Sequence, residues 1–391
     1  MKNKDILKLD ISTPCYFYDM DLLNKTLNTL HEAAKKHDYL VHYALKANYE
    51  EPIVKEIASR GLGADCVSGG EVEFAIKMGF SPSKIVYAGV GKTPREIERA
   101  LQLNIACFNV ESIEELDMIQ QIAQHLGKTA TVALRINPDI DAHTHHYITT
   151  GLAETKFGIS LPMFDLAVKK AIELPNIRLA GLHFHIGSQI TLADPYRLLA
   201  VKASELVAEL KNKYNFTPQY INLGGGLGID YDNPDNARIA DFSMLFDTIS
   251  QHLDIDPSIK VHFELGRSIV AQCGSLLASV IYVKNGVDKR FIIVDAGMND
   301  LIRPALYEAH HKIENLTAEL TRPDSPTQTY DVVGPICESS DCFDHDLTLP
   351  VTQSGDLIAI RSAGAYGSAM SSAYNMRKPA SRFFFSLKQI N

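Results

Sequence analysis

The sequence predicts an α/β protein built on a (β/α)8 barrel, followed by a second, mostly β domain. Three observations carry this. A unit of short apolar strand, brief loop and capped helix recurs eight times within about 230 residues. The helix-start signals are legible at residue level. After about residue 270 the helical pattern gives way to alternating, β-branched runs.

The eight strands are expected to begin near Val41, Leu62, Ile85, Ile105, Thr131, Leu179, Tyr220 and Val261. Ser68 with Glu71, Thr93 with Pro94 and Glu96, and Ser112 with Glu115 fit capping boxes. Gly61, Gly79 and Gly127 fall where helices should close in a left-handed residue. Asp21 to Lys36 reads as a helix, with Leu23, Leu27, Leu30 and Ala34 on one face. A doubly wound open sheet is the competing architecture, but no GxGxxG follows the first strand. Beyond the barrel, Cys273–Lys284, Phe291–Asp295, Val332–Val333 and Leu357–Arg361 read as strands, and helix is expected only at about Ile302–Ile313. A strand at Pro14–Tyr18 precedes the first barrel strand and should join the second domain as part of a β-sandwich or barrel. The expected division is 21–268 for the barrel, and 1–20 with 269–391 for the β domain.

Of the 391 residues, 46% are hydrophobic and 22% charged, as in ordinary globular proteins. A net charge of −9 argues against nucleic acid or an anionic membrane as a partner. No apolar run approaches the ~20 residues that span a bilayer, and the first residues, MKNKDILKLD, lack an apolar signal core. A cytoplasmic location is expected. The six cysteines form no CxxC pair and should be free thiols there.

In a barrel of this kind, chemistry collects where strands end. Lys46 ends the first strand. Its bland reading is a lysine reaching to water; its chemical reading is a covalent anchor for an aldehyde cofactor. Ser68-Gly69-Gly70 follows the second strand and Asn137 the fifth. The sixth ends in His183-Phe-His-Ile-Gly-Ser188-Gln189. Gly224-Gly225-Gly226 follows the seventh, where barrel enzymes bind phosphate; the alternative is a flexible turn. Glu264 ends the eighth. A carboxylate there could keep a pyridine nitrogen protonated, or form a salt bridge to Arg267. Of His183 and His185, one could stack on an aromatic ring while the other is a core histidine. Lysine, glycines, acid and imidazole together describe a site for pyridoxal 5'-phosphate.

Six segments, HYALKAN (42–48), HFHIGSQ (183–189), NLGGGLG (222–228), ELGRS (264–268), GPICESSD (334–341) and GAYGSAMSSAYNMR (364–377), resemble the diaminopimelate decarboxylase family. That family belongs to the fold-type III, alanine-racemase-like pyridoxal-phosphate enzymes. The resemblance is collinear over essentially the whole chain. It implies decarboxylation of meso-2,6-diaminopimelate to L-lysine and carbon dioxide, the last step of lysine biosynthesis. Lys46 would anchor the cofactor. His185 would stack on its ring with Ser188 nearby, and Glu264 would face the ring nitrogen. Gly225, Gly226, Gly266, Arg267 and Tyr366 would hold the phosphate. Cys337 would be the proton donor, reaching the site from the partner subunit of a homodimer. Arg267, Arg303, Tyr307, Glu338 and Tyr366 would bind the substrate. One departure is Leu265, where the family usually has proline.

The far end of the substrate separates the relatives. Ornithine and arginine end in a cation alone, whereas diaminopimelate ends in a carboxylate and an ammonium. The second calls for arginine and acid together. The plain reading of Arg303 and Tyr307 is a solvated helix face. Ornithine, arginine and carboxynorspermidine decarboxylases, a racemase and a non-enzymatic cofactor carrier are the competing functions. His143-Thr-His145-His146 suggests metal at first sight, but with only Asp139 and Asp141 nearby it reads as a lid loop, and no metal is expected. Cys337 and Cys342 lack the second pair of a zinc site.

Overall fold

In the computed structural model, residues 6–140 and 156–387 are described, and the chain divides into two compact units. One unit comprises Leu27–Gly228 and Ala240–Gly266. The other comprises Met1–Thr26, Ile229–Ile239 and Arg267–Asn391.

The first unit is a closed parallel barrel. Its strands are β2 (Leu40–Ala44), β3 (Gly63–Cys66), β4 (Ile85–Tyr87), β5 (Cys107–Val110), β6 (Ala130–Asn137), β8 (Ile177–His183), β9 (Tyr220–Asn222) and β10 (Lys260–Leu265). β1 (Cys15–Asp19) lies outside it, and β7 (Ile159–Ser160) is a two-residue addition to the edge of β6. Each barrel strand bonds to the next in chain order, and β10 returns to β2 with Glu264 opposite His42. Every strand starts within two residues of its expected position. Leu265 ends β10 opposite Tyr43 and is fully buried, so it simply extends the ladder where a proline could not donate.

Local chemistry sets the helix boundaries. At Thr93 the capping box is complete: the threonine hydroxyl accepts from the Glu96 N–H, and the Glu96 carboxylate accepts from the Thr93 N–H. Ser68 and Ser112 cap in the same way, but their glutamates reach one residue further back, to the N–H groups of Val67 and Glu111. Gly79 closes its helix at φ +103°, a conformation glycine adopts without steric cost. Helix Met20–Lys35 buries Leu23, Leu27, Leu30 and Ala34 as a stripe.

The second unit is mostly sheet. Its strands are β1, β11 (Gly274–Asn285), β12 (Arg290–Val294), β13 (Ile313–Asn315), β14 (Thr327–Val333), β15 (Cys342–Pro350), β16 (Leu357–Ile360) and β17 (Ser381–Phe385). β11 is the common member. Its first half pairs with β1 and β16, and after an irregularity at Val280–Tyr282 its second half pairs with β12. The N-terminal strand is thus part of this sheet, as expected. Phe17, Leu277, Leu316, Ala359 and Phe385 form a core beneath it.

Two expectations are corrected. The helix expected over 302–313 spans only Arg303–Tyr307. Glu308 turns left-handed at φ +52°, and Ile313 pairs with Ile360 as a strand. The barrel is also not continuous from 21 to 268. Residues 229–239 group with the β unit because Tyr231 bonds to Arg267 and Arg303, and Asp235 to Arg361.

Removing the complete cap tests this reading of the boundaries. Thr93→Ala should lower unfolding stability by about 1 kcal/mol in a denaturant titration, and no loss would deny the cap its role.

Candidate active site

In the barrel unit the side chains converge where strands end. Glu264 is the hub. Its Oε1 accepts from Asn109 Nδ2 at 2.9 Å and from Asn222 Nδ2 at 2.7 Å. Its Oε2 lies 2.9 Å from His183 Nε2, the donor there. The partners stand on β5, β9 and β8. Burial alone would raise the pKa of Glu264, but the charges of His183 and Lys46 outweigh it and hold the carboxyl below its ordinary range. Three donors thus hold the carboxylate, and Oε2 keeps a second lone pair.

Lys46 sits in the turn Leu45–Ala47 just after β2, 40% exposed along its side chain. Its Nζ is 3.5 Å from Oδ2 of Asp65 on β3, a carboxylate 1% exposed. A lysine merely reaching to water has no need of a buried counter-ion. Among the described residues Asp65 has no closer hydrogen bond on either oxygen. Burial and the charge of Glu264 push it up to about 7, against the pull of Lys46.

The glycines after β9 are packed rather than loose. A methyl group on Gly225 would lie 1.9 Å from the Glu264 carbonyl oxygen, and one on Gly226, at φ +97°, 2.4 Å from that of Gly187. The Gly225 N–H points to Nδ1 of half-buried His185 at 3.4 Å. Burial and the cations Arg135 and Lys46 push His185 far down, so it is neutral at pH 7. Ser188 follows in the same loop, half-buried. Of the two histidines, His183 is the buried core member.

In the loop after β4, Lys92 is buried and donates to the carbonyls of Gly89 and Asn109 and to Glu115. It pins the backbone of the residue whose side chain holds Glu264. Asp65, Asn109, Asn222 and Lys92 escaped the sequence reading. For the first three the available signal was a polar residue inside a short apolar strand; Lys92 lies in the loop after β4 and offered none.

In the β unit, Arg267 opens the short helix Arg267–Val270, and Arg303 opens Arg303–Tyr307. Both are buried, which overturns the solvated-face reading of Arg303. Each donates through Nη1 to the hydroxyl oxygen of Tyr231, at 2.6 and 3.0 Å. The Arg267 guanidinium also lies 5.0 Å from the ring centre of Tyr366, and Tyr307, half-buried, ends the short helix that Arg303 opens. Cys337 is exposed, with its N–H donating to Asn375 Oδ1 at 3.0 Å. Glu338 beside it accepts from the Tyr374 hydroxyl. Cys342 is different: its thiol donates to the Asp344 carbonyl, and burial pushes it up to about 11. Among the described residues no group of three His, Cys, Asp or Glu is placed to hold a metal; His143–His146 lie outside them.

Residues 20–271 match the family described as pyridoxal-dependent decarboxylase, pyridoxal binding domain. The chain is 51% identical over 369 residues to a diaminopimelate decarboxylase of Bacteroides thetaiotaomicron, covering 94% of each. The chain belongs to the diaminopimelate decarboxylase family. A crystal structure of the Helicobacter pylori diaminopimelate decarboxylase complexed with L-lysine superposes with a TM-score of 0.90, at 40% identity over 98% of this chain and 94% of that one. The M. jannaschii enzyme in co-complex with L-lysine gives 0.88, at 36% identity over 99% and 89%. Members of this family are pyridoxal-phosphate-dependent decarboxylases. The residues present fit that cofactor: an amine at a strand end, a buried carboxylate held ionised, and a close-packed glycine turn.

Asp65 gives a pH test. Its folded pKa of about 7 lies above the usual ~4 of an unfolded aspartate. Its contribution to stability is therefore complete below about pH 4 and is lost as pH rises through about 7. In the cofactor-free protein, the stability of Asp65→Asn relative to wild type should grow over that window in denaturant titrations. A constant difference would contradict the raised pKa.

Proposed function

We propose that this enzyme decarboxylates meso-2,6-diaminopimelate to L-lysine and carbon dioxide, the last step of lysine biosynthesis. The observation that carries the choice of substrate is the pair Arg267 and Arg303, buried and joined through Tyr231. Two guanidiniums suit a substrate whose far end bears a carboxylate, and ornithine has none. The identity to the Bacteroides enzyme supports the same reading.

Pyridoxal phosphate, when bound, supplies an electron sink for the charge left behind as carbon dioxide departs. The chain's residues do the rest. Lys46 Nζ anchors the cofactor. Glu264, kept ionised by its three donors, holds a proton on the ring nitrogen. His185, neutral, would cover the ring, and Ser188 would assist it. Gly225, Gly226, Gly266, Arg267 and Tyr366 hold the phosphate. Arg267, Arg303, Tyr307 and Tyr366 orient the substrate's distal carboxylate, and Glu338 its ammonium. Cys337 donates a proton from Sγ to the α-carbon.

An exposed Cys337 suits a donor offered to a second subunit. We therefore take the enzyme to be a homodimer with shared active sites, its mostly β unit contributing to the interface. Six free cysteines suit a cytoplasmic setting, and no helix among the described residues is long and apolar enough to cross a membrane.

Carbon dioxide released from meso-diaminopimelate and from ornithine tests the substrate; a preference for ornithine would refute it. Cys337→Ala should retain the cofactor's visible absorbance yet lose about 100-fold or more in turnover. Mixing it with Lys46→Ala should restore part of the activity through heterodimers. No recovery despite proven subunit exchange would place each active site within one chain.

A further inference from the structure

The two arginines assigned above to the distal carboxylate are held by a residue with no role so far. We propose that Tyr231 is a positioning residue whose phenolic oxygen clamps Arg267 and Arg303 into one anion-binding fork, and so sets the preference for a substrate with a carboxylate at its far end. This rests on the function proposed above.

Arg267 and Arg303 come from different helices and are both buried. Two guanidiniums brought together in a site of low polarity repel and lose hydration. Something must offset that, and among the described residues Arg303 forms no ion pair with a carboxylate. Tyr231 is the group in place. Its oxygen has two acceptor lone pairs, and Arg267 and Arg303 take both. Its ring serves as well, with the two guanidinium carbons 5.9 and 4.9 Å from the ring centre. The hydroxyl hydrogen has no acceptor among the described residues. The phenol thus presents its electron-rich oxygen and face to the cations.

His311 completes the clamp. Its Nδ1 lies 2.8 Å from the Arg361 carbonyl, so the proton is on Nδ1 and Nε2 accepts from Arg303 Nη1 at 2.8 Å. Burial and the charge of Arg303 push His311 down to about 3, so it remains a neutral acceptor. It also packs edge-on against Tyr231, with ring centres 5.0 Å apart. One corner of the Arg303 guanidinium is therefore fixed by two acceptors. Its Nε and Nη2 make no hydrogen bond with a described residue. A fork anchored at one corner and open on the other edge is pre-organised for bidentate binding of a carboxylate. A substrate ending in a cation alone would meet positive charge.

The segment carrying Tyr231 supports this role. Residues 229–239 directly follow the last glycine of the loop after β9, yet group with the β unit. Tyr231 and its bonds to the arginines are what the insertion delivers there.

The test uses the holoenzyme with Tyr231→Phe, which keeps the ring and removes the oxygen. Wild-type turnover of meso-diaminopimelate is measured first. Its absence would remove the proposed function itself, whereas an active wild type with an unaltered variant removes only the role of Tyr231. The variant should raise KM for meso-diaminopimelate about tenfold or more, with kcat within about threefold. Inhibition by L-lysine, which carries a carboxylate, should weaken by a similar factor. Inhibition by 1,5-diaminopentane, which has none, should stay within about twofold. In an Arg303→Ala background, Tyr231→Phe should add less than about twofold, because it acts through that arginine. Equal weakening of both inhibitors, a loss confined to kcat, or full additivity would overturn the proposal. Should Tyr231→Phe fail to fold, Arg303→Ala alone decides: wild-type discrimination between L-lysine and 1,5-diaminopentane would show that the fork is not the carboxylate site.

Discussion

A charged carboxylate in a barrel interior must be satisfied, and much of the barrel's catalytic end follows from how Glu264 meets that demand. An unpaired buried charge costs several kcal/mol, and a hydrogen bond to a charged group returns about 1.5–3 kcal/mol. Glu264 therefore requires several donors at once. They come from β5, β8 and β9, which fixes Asn109, His183 and Asn222 as inward-facing polar residues in otherwise apolar strands. The same residue constrains the backbone. Its carbonyl oxygen lies where a side chain at the Gly225 position would be, so the turn after β9 needs glycine for packing before any ligand is considered. Lys46 and Asp65 complete the electrostatics: one helps to hold Glu264 ionised, while burial and the charge of Glu264 push the other toward neutrality.

The β unit answers a different electrostatic problem. At Arg267 and Arg303 two buried cations of like sign meet, and a tyrosine oxygen reconciles them. The barrel holds an anion among donors and the β unit holds cations around an acceptor. Gly266 and Arg267, adjacent in the chain, fall on either side of the division between the units. The segment from Glu264 to Arg267 thus supplies both centres within four residues, and a Leu265 that extends β10 does not disturb either.

Much of the fold was legible in the sequence because periodicity and capping are local. The eight strand starts, the Thr93 box and the N-terminal strand's place in the second sheet all follow from residues within a turn or two of each other, or from a simple count. The helix expected to 313 ended early because strand pairing of Ile313 with Ile360 is a long-range contact that overrides local pattern. The loss of 229–239 from the barrel unit has the same cause, since Tyr231 finds its partners 36 and 72 residues away. Of the site, the charged and glycine-rich ends of strands stood out by composition. Asp65, Asn109, Asn222 and Tyr231 did not, because each is a single ordinary residue given meaning only by what it faces. The buried partner of Lys46, Asp65, came into view only in the fold.

The central claim is that an ionised Glu264 makes the bound cofactor an effective electron sink. Glu264→Gln is close to isosteric; it removes the charge and turns one acceptor oxygen into a donor. Turnover of meso-diaminopimelate should be compared with wild type at equal cofactor occupancy, verified by visible absorbance. The account predicts a fall in kcat on the order of 100-fold, the scale of one active-site electrostatic contact, with the cofactor still bound. A variant that turns over within about twofold of wild type would contradict it.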